Sequence, residues 1–127
     1  MWEVKDTSDG IRGVNTVYTW TSGAGAADGT LFTVFLAMLN TTPCFANHCD
    51  WRIPNVKELQ SIVNYGGASP ASSVPGPTAV GFYWSSTAFT NPSDAWFVSF
   101  YVGLNEGLVS LDAKGDALHV RAVRGGR

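Results

Sequence analysis

The sequence predicts an α+β fold, and three observations carry that expectation. Apolar residues recur at helical spacing in two segments of the first half, Leu31 to Asn40 and the run that follows Asn55. The second half alternates with period two instead, most cleanly from Ala95 to Tyr101. Between these segments lie clusters of Gly, Pro, Ser and Asn that read as turns, with 14 glycines in 127 residues. The expected layout is two helices packed on twisted antiparallel strands, rich in loops. A chain of this length suffices for one good core, so residues 1–127 are read as a single domain.

Taken in order, Trp2-Glu3-Val4 is a short extended piece, followed by the turn-rich stretch Asp6 to Gly13. Val17 to Trp20 reads as a second short strand or an extended entry. Thr21 to Gly29 is small and polar, and its Gly-x-Gly lacks a preceding apolar strand and a following Lys, so a surface loop is the reading. Thr30 is placed to cap the first helix. There Leu31, Phe35, Met38 and Leu39 share a face, flanked by Phe32 and Leu36.

Asp50 to Leu59 compresses a turn, a helix start and a buried aromatic into ten residues. Pro54 disfavours helix at Ile53, so the chain arrives extended. Asn55 then reads as an N-cap with Glu58 three positions later, a capping box with Asn in the usual Ser or Thr place. Val56, Leu59, Ile62 and Val63 form the apolar face of a helix that ends before Gly66-Gly67. Trp51 is expected as a core anchor, and Arg52 and Glu58 as structural rather than catalytic. Ala68 to Thr78 is a long Pro-containing connection.

Strands follow at Phe82 to Thr87, Ala95 to Tyr101, Leu108 to Leu111 and His119 to Arg124, with turns at Gly103 to Gly107 and around Gly115. Trp84 and Trp96 are expected in the core, Trp96 with Val98 and Phe100. That leaves Phe97, Ser99 and Tyr101 pointing outward. On the last strand Arg121 and Arg124 alternate with apolar residues. An inward Arg121 needs a partner, and Glu58 is the expected one.

Composition excludes several classes. Charged residues are 14% of the chain and aromatics 13%, which suits a compact fold rather than disorder. A net charge of −2 leaves no footprint for nucleic acid. No apolar run approaches the roughly 20 residues of a membrane span, so no membrane insertion is expected. No secretory signal pattern opens the chain, which reads as an excised domain or mature fragment.

Cys44 and Cys49, in Cys-Phe-Ala-Asn-His-Cys, suit a small disulfide loop; free thiols are the alternative. A metal trio with His48 lacks a fourth ligand, so neither a metal nor a cofactor is assigned. Catalytic signatures are thin. His48 and His119 lack a triad context, Ser85 and Ser86 lack a Gly-x-Ser-x-Gly elbow, and the spacing of Asp50, Glu58 and Asp94 cannot be read from sequence.

Several separated motifs together resemble one bacterial family. They are Trp2-Glu3-Val4-Lys5, Tyr18-Thr19-Trp20, Asp50-Trp51-Arg52-Ile53-Pro54 with Glu58-Leu59, Tyr83 to Thr87, Ala95-Trp96 and Val120 to Gly126. The chain resembles, over essentially its whole length, the C-terminal domain of a collagen-like bacterial adhesin, the Lcl C-terminal domain. The resemblance implies a C-type-lectin-like fold of the formylglycine-generating-enzyme subtype in secreted or surface proteins. A similar ending occurs in the variable proteins of diversity-generating retroelements, whose C-terminal strands and loops present substitutable side chains. Two departures weigh against other members of the fold. Cysteines are absent after Cys49, where the formylglycine-generating enzymes need them, and the Ca²⁺-binding motifs of C-type lectins are missing, although Asn91-Pro92-Ser93-Asp94 offers oxygens in a comparable loop.

The expectation is a non-enzymatic ligand-binding or adhesion module, extracellular or at the cell surface, taking an unknown protein or glycan ligand. The alternatives are a diversified ligand-display protein and, behind it, a cryptic enzyme. Phe97, Ser99 and Tyr101, with Asn105, Ser110 and Asp112 from the following turns, are the expected ligand face. The competing reading covers that face with a strand, a loop or a second subunit of a homo-oligomer.

Overall fold

The computed structural model describes residues 1–23, 25–63, 74, 76–101 and 107–125. Strand β1 (Tyr18–Thr19) is followed by helix α1, a π-helical stretch Leu31–Leu36 that continues into an α-helical turn Ala37–Leu39. Helix α2 is Val56–Gln60, and strands β2 (Phe82–Ala88), β3 (Asp94–Ser99), β4 (Val109–Ala113) and β5 (Ala117–Leu118) complete the order. The α+β character is as expected. The predicted end of the second helix at Gly66-Gly67, most of Ala68 to Thr78, and the turn at Gly103 lie outside the described residues.

The capping box forms in full. Glu58 N donates to Asn55 Oδ1 at 2.8 Å and Asn55 N donates to Glu58 Oε1 at 2.9 Å, so two orphan amides of the first turn are satisfied reciprocally. Thr30 does not cap α1. Its hydroxyl accepts from the Thr19 amide instead, which ties the helix start to β1.

β2, β3 and β4 form an antiparallel sheet with β3 in the middle, and β1 pairs with β5 separately. β3 is buried on both faces. Ala95 and Phe97 join Trp84, Trp51, Trp20, Phe35 and Leu39 in one core cluster, while Val98 and Phe100 join Tyr83, Leu59 and Ile62 in another. The outward placement of Phe97 and Ser99 is therefore corrected: they are 6% and 0% exposed. A central strand with elements packed on each side has no solvent face, so period-two alternation on it does not separate inside from outside. Trp96 is corrected in the opposite sense, being half-buried rather than a core residue.

The last predicted strand, His119 to Arg124, is also not continuous. Beyond β5 the chain makes single bridges, His119 to Tyr83 and Val123 to both Trp2 and Arg52.

The expected Arg121–Glu58 pair does not form. Glu58 is held by Arg52 through two hydrogen bonds of 2.7 and 2.6 Å. Arg121 donates instead to Pro77 O at 2.8 Å and Thr78 Oγ1 at 3.3 Å. The reason is proximity: Arg52 lies six residues from Glu58, just ahead of its helix, and reaches it without crossing the core. The tie between chain end and helix start exists, but Arg52 makes it. Its backbone exchanges hydrogen bonds with Val123 at 2.8 and 2.9 Å, and its guanidinium donates to Gly125 O.

A buried ionic group that sequence reasoning missed anchors the first residues. Glu3, fully buried, accepts from the Ala122 amide and pairs with Lys5 and Arg12, each at 3.2 Å. Lys5 lies 4.4 Å from the Phe35 ring centroid, and burial, opposed by Glu3, brings its pKa down to about 8. The only sequence signal was the alternation in Trp2-Glu3-Val4-Lys5. Hydrophobicity reads it with Val4 inward, whereas Val4 is 45% exposed.

Candidate functional site

Of the six residues expected on a ligand face, Phe97 and Ser99 are core, and Asn105 lies outside the described residues. Tyr101, Ser110 and Asp112 remain accessible. Tyr101 is 41% exposed and stands edge-on against Phe82, which itself packs on Phe97 with centroids 4.4 Å apart. Ser110 and Asp112 lie opposite Phe97 and Ala95 on the edge strand β4. Burial, a hydrogen bond with Asp116, and the charges of Asp116 and Asp94 push Asp112 up to about 6. These three do not form the continuous surface the alternation suggested, because Phe97 was to have joined them.

The tryptophans divide by their indole N–H groups. Trp20, Trp51 and Trp84 donate to Ser85 O, Phe45 O and Tyr18 O at 3.0, 3.0 and 2.8 Å, as buried indoles should. Trp96, like Trp2 near the N-terminus, has no such partner among the described residues. Its ring is half-buried beside Phe89, which is 38% exposed, with centroids 5.8 Å apart at 87°. Leu111, also half-buried, lies opposite Trp96 across the sheet. Phe89 and Trp96, with Leu111 across the sheet, make an apolar ledge at the end of the sheet where the 89–94 turn closes. The turn closes on itself, since Asn91 Oδ1 accepts from both Ser93 N and Ser93 Oγ.

A second concavity, of about 490 Å³, lies between β1, the start of α1 and the β4–β5 turn. Thr19, Thr21, Asp28, Thr30, Thr33 and Gly115 are among its lining residues. Asp28 Oδ1 accepts from Ser22 N and Thr21 Oγ1, bonds that hold its carboxyl below the usual range. Gly29 closes the floor: a Cβ there would lie 2.4 Å from Thr19 O.

Residues once considered for catalysis have structural duties. Asp50 pairs with Arg124 at 2.7 Å, Glu58 pairs with Arg52, and the buried Ser85 hydroxyl donates to Trp96 O at 2.7 Å. His119 is half-buried and its pKa is lowered by desolvation. Cys44 and Cys49 are joined in a disulfide with Cα atoms 5.1 Å apart. No group of metal-binding side chains occurs among the described residues, and no helix among them is long and apolar enough to cross a membrane.

The family model described as the Lcl C-terminal domain matches residues 1–124. The chain belongs to the Lcl C-terminal domain family. No curated protein and no solved structure matches it. The match extends through the ion pairs of this Lcl C-terminal domain, from Glu3 with Lys5 to Asp50 with Arg124, and through the Trp96 ledge.

Proposed function

We propose that this Lcl C-terminal domain is a non-enzymatic ligand-binding module of a secreted or surface-attached, adhesin-like protein, built on a C-type-lectin-like arrangement. Family membership supports the adhesin-like reading. The observation that carries the binding surface is Trp96, the tryptophan of the sheet whose indole N–H finds no partner among the described residues and whose ring is half in water beside Phe89. An aromatic ring with a free donor presents a rigid apolar area and one polar handle, a combination enriched where proteins bind partners. The non-enzymatic reading is supported by the commitment of Asp50, Glu58 and Ser85 to ion pairs or backbone groups.

The test is capture of ligands on a glycan array and from cell-surface extract by the immobilised domain. Phe89→Ala combined with Trp96→Ala should weaken whatever is captured by about thirtyfold, the cost of losing an aromatic hot spot. Undiminished capture by a folded double variant places the binding surface away from the ledge.

A further inference from the structure

The recess between β1, α1 and the β4–β5 turn shares no lining residue with the Phe89–Trp96 ledge. We propose that it is a binding site for a neutral polyol of monosaccharide size. This rests on the ligand-binding reading and adds a ligand class to it.

Three features point to that chemistry. First, the volume of about 490 Å³ falls within the range of small-molecule sites. Second, the walls are held in place before any ligand arrives. The Thr19 amide donates to Thr30 Oγ1 and the Thr30 amide to Thr19 Oγ1, while Asp28 is fixed by Thr21 and Ser22. Side chains so locked lose little further freedom on binding.

Third, the remaining hydrogen-bonding capacity is mixed but tilted towards acceptors. The Asp28 carboxylate takes donors from Thr21 Oγ1, Ser22 N and the Ser22 side chain, and two oxygens with about four lone-pair sites leave it acceptor capacity for a ligand. Thr33 Oγ1 donates to Gly29 O and so offers only lone pairs. The Thr19 and Thr30 hydroxyls share one hydrogen bond, so one of their two protons is left over. An anion would meet the Asp28 carboxylate. An ammonium group would satisfy the acceptors but leave the spare Thr19–Thr30 hydroxyl proton unmatched. Vicinal sugar hydroxyls, each donor and acceptor, match both.

Amide chemical shifts in the intact domain test the site, with glucose, galactose, mannose, glucuronate and n-butylammonium as probes. At least one neutral sugar should shift the Thr19, Thr30, Thr33 and Gly115 amides saturably, with glucuronate and butylammonium weaker. Asp28→Asn should reduce that affinity about tenfold or more, the value of a hydrogen bond to a charged group. Because Asp28 also holds its loop, Gly115→Leu supplies a second variant. Its Cβ would meet open space, so the fold is undisturbed, and the bulk added at the recess wall should weaken sugar binding.

No saturable shift with any neutral sugar, tighter binding of butylammonium, or shifts unchanged in both variants would each overturn the assignment. If the sugars fail while capture through the Trp96 ledge succeeds, this site falls and the ligand-binding reading stands. Sugar binding here together with undiminished capture by the ledge variant gives the reverse for the ledge.

Discussion

Replacing Glu58 with Ala removes three things at once. The Asn55 amide loses its acceptor at 2.9 Å, the first turn of α2 loses its negative charge, and Arg52 loses a bidentate partner. The first two are together about 1 kcal/mol. The ion pair adds about 1 kcal/mol, at the top of the surface range, because its side chains keep 32% and 21% of their area in water. Glu58→Ala should therefore cost about 2 kcal/mol in urea denaturation followed by tryptophan fluorescence. The Arg52 hydrogen bonds hold the Glu58 carboxyl below the ordinary glutamate value of 4.5. A depressed acid stabilises above its unfolded pKa and loses that contribution as pH falls through the folded one. The deficit of the Ala variant should thus be full at neutral pH and shrink below about pH 4.5. A double-mutant cycle assigns the partner: Arg52 with Glu58 should couple by about 1 kcal/mol and Arg121 with Glu58 by none. A loss under about 0.5 kcal/mol, or coupling to Arg121 equal to that with Arg52, would refute the reasoning.

Three further outcomes follow from the same contacts. Phe97→Ala should cost about 3–5 kcal/mol, as for a buried aromatic, whereas Tyr101→Ala should cost about 1 kcal/mol or less; equal small losses in denaturant melts would return Phe97 to the surface. Asp112, whose folded pKa is raised to about 6 from 3.8, opposes folding increasingly as pH rises from about 4 to 6, so Asp112→Asn should stabilise the domain by about 1 kcal/mol at pH 7, after allowance for solvent screening, with the gain shrinking as pH falls below about 6 and gone below about pH 4. The Cys44–Cys49 loop spans five positions, so replacing both with Ser should cost about 2 kcal/mol without loss of fold, and alkylation without reductant should label neither cysteine in mass spectrometry.

What the sequence determined by itself lies within a few residues of chain. The Asn55–Glu58 box, the extended arrival at Pro54 and the short Cys44–Cys49 loop are local, because the groups concerned are in reach of one another whatever the rest of the fold does. The strand pattern of the second half was equally plain, since alternation is a property of one extended segment. Membership in the Lcl C-terminal domain family also followed from motifs in order along the chain.

Tertiary structure decided which side of each segment is inside. In Ala95 to Phe100 nearly every side chain is apolar, and that near-continuous run, rather than its alternation, was the sign of a strand buried on both faces. Only the placement of α2 and of the Tyr18–Trp20 segment showed that both faces are covered, and that cover runs out at Trp96. At the N-terminus the polarity rule was inverted. Glu3 and Lys5 turn inward because the Ala122 amide and Arg12 wait there to satisfy a carboxylate. Those partners come from residues 119 and nine positions away, and a charge is buried only where such partners converge, a condition set by packing rather than by the local pattern.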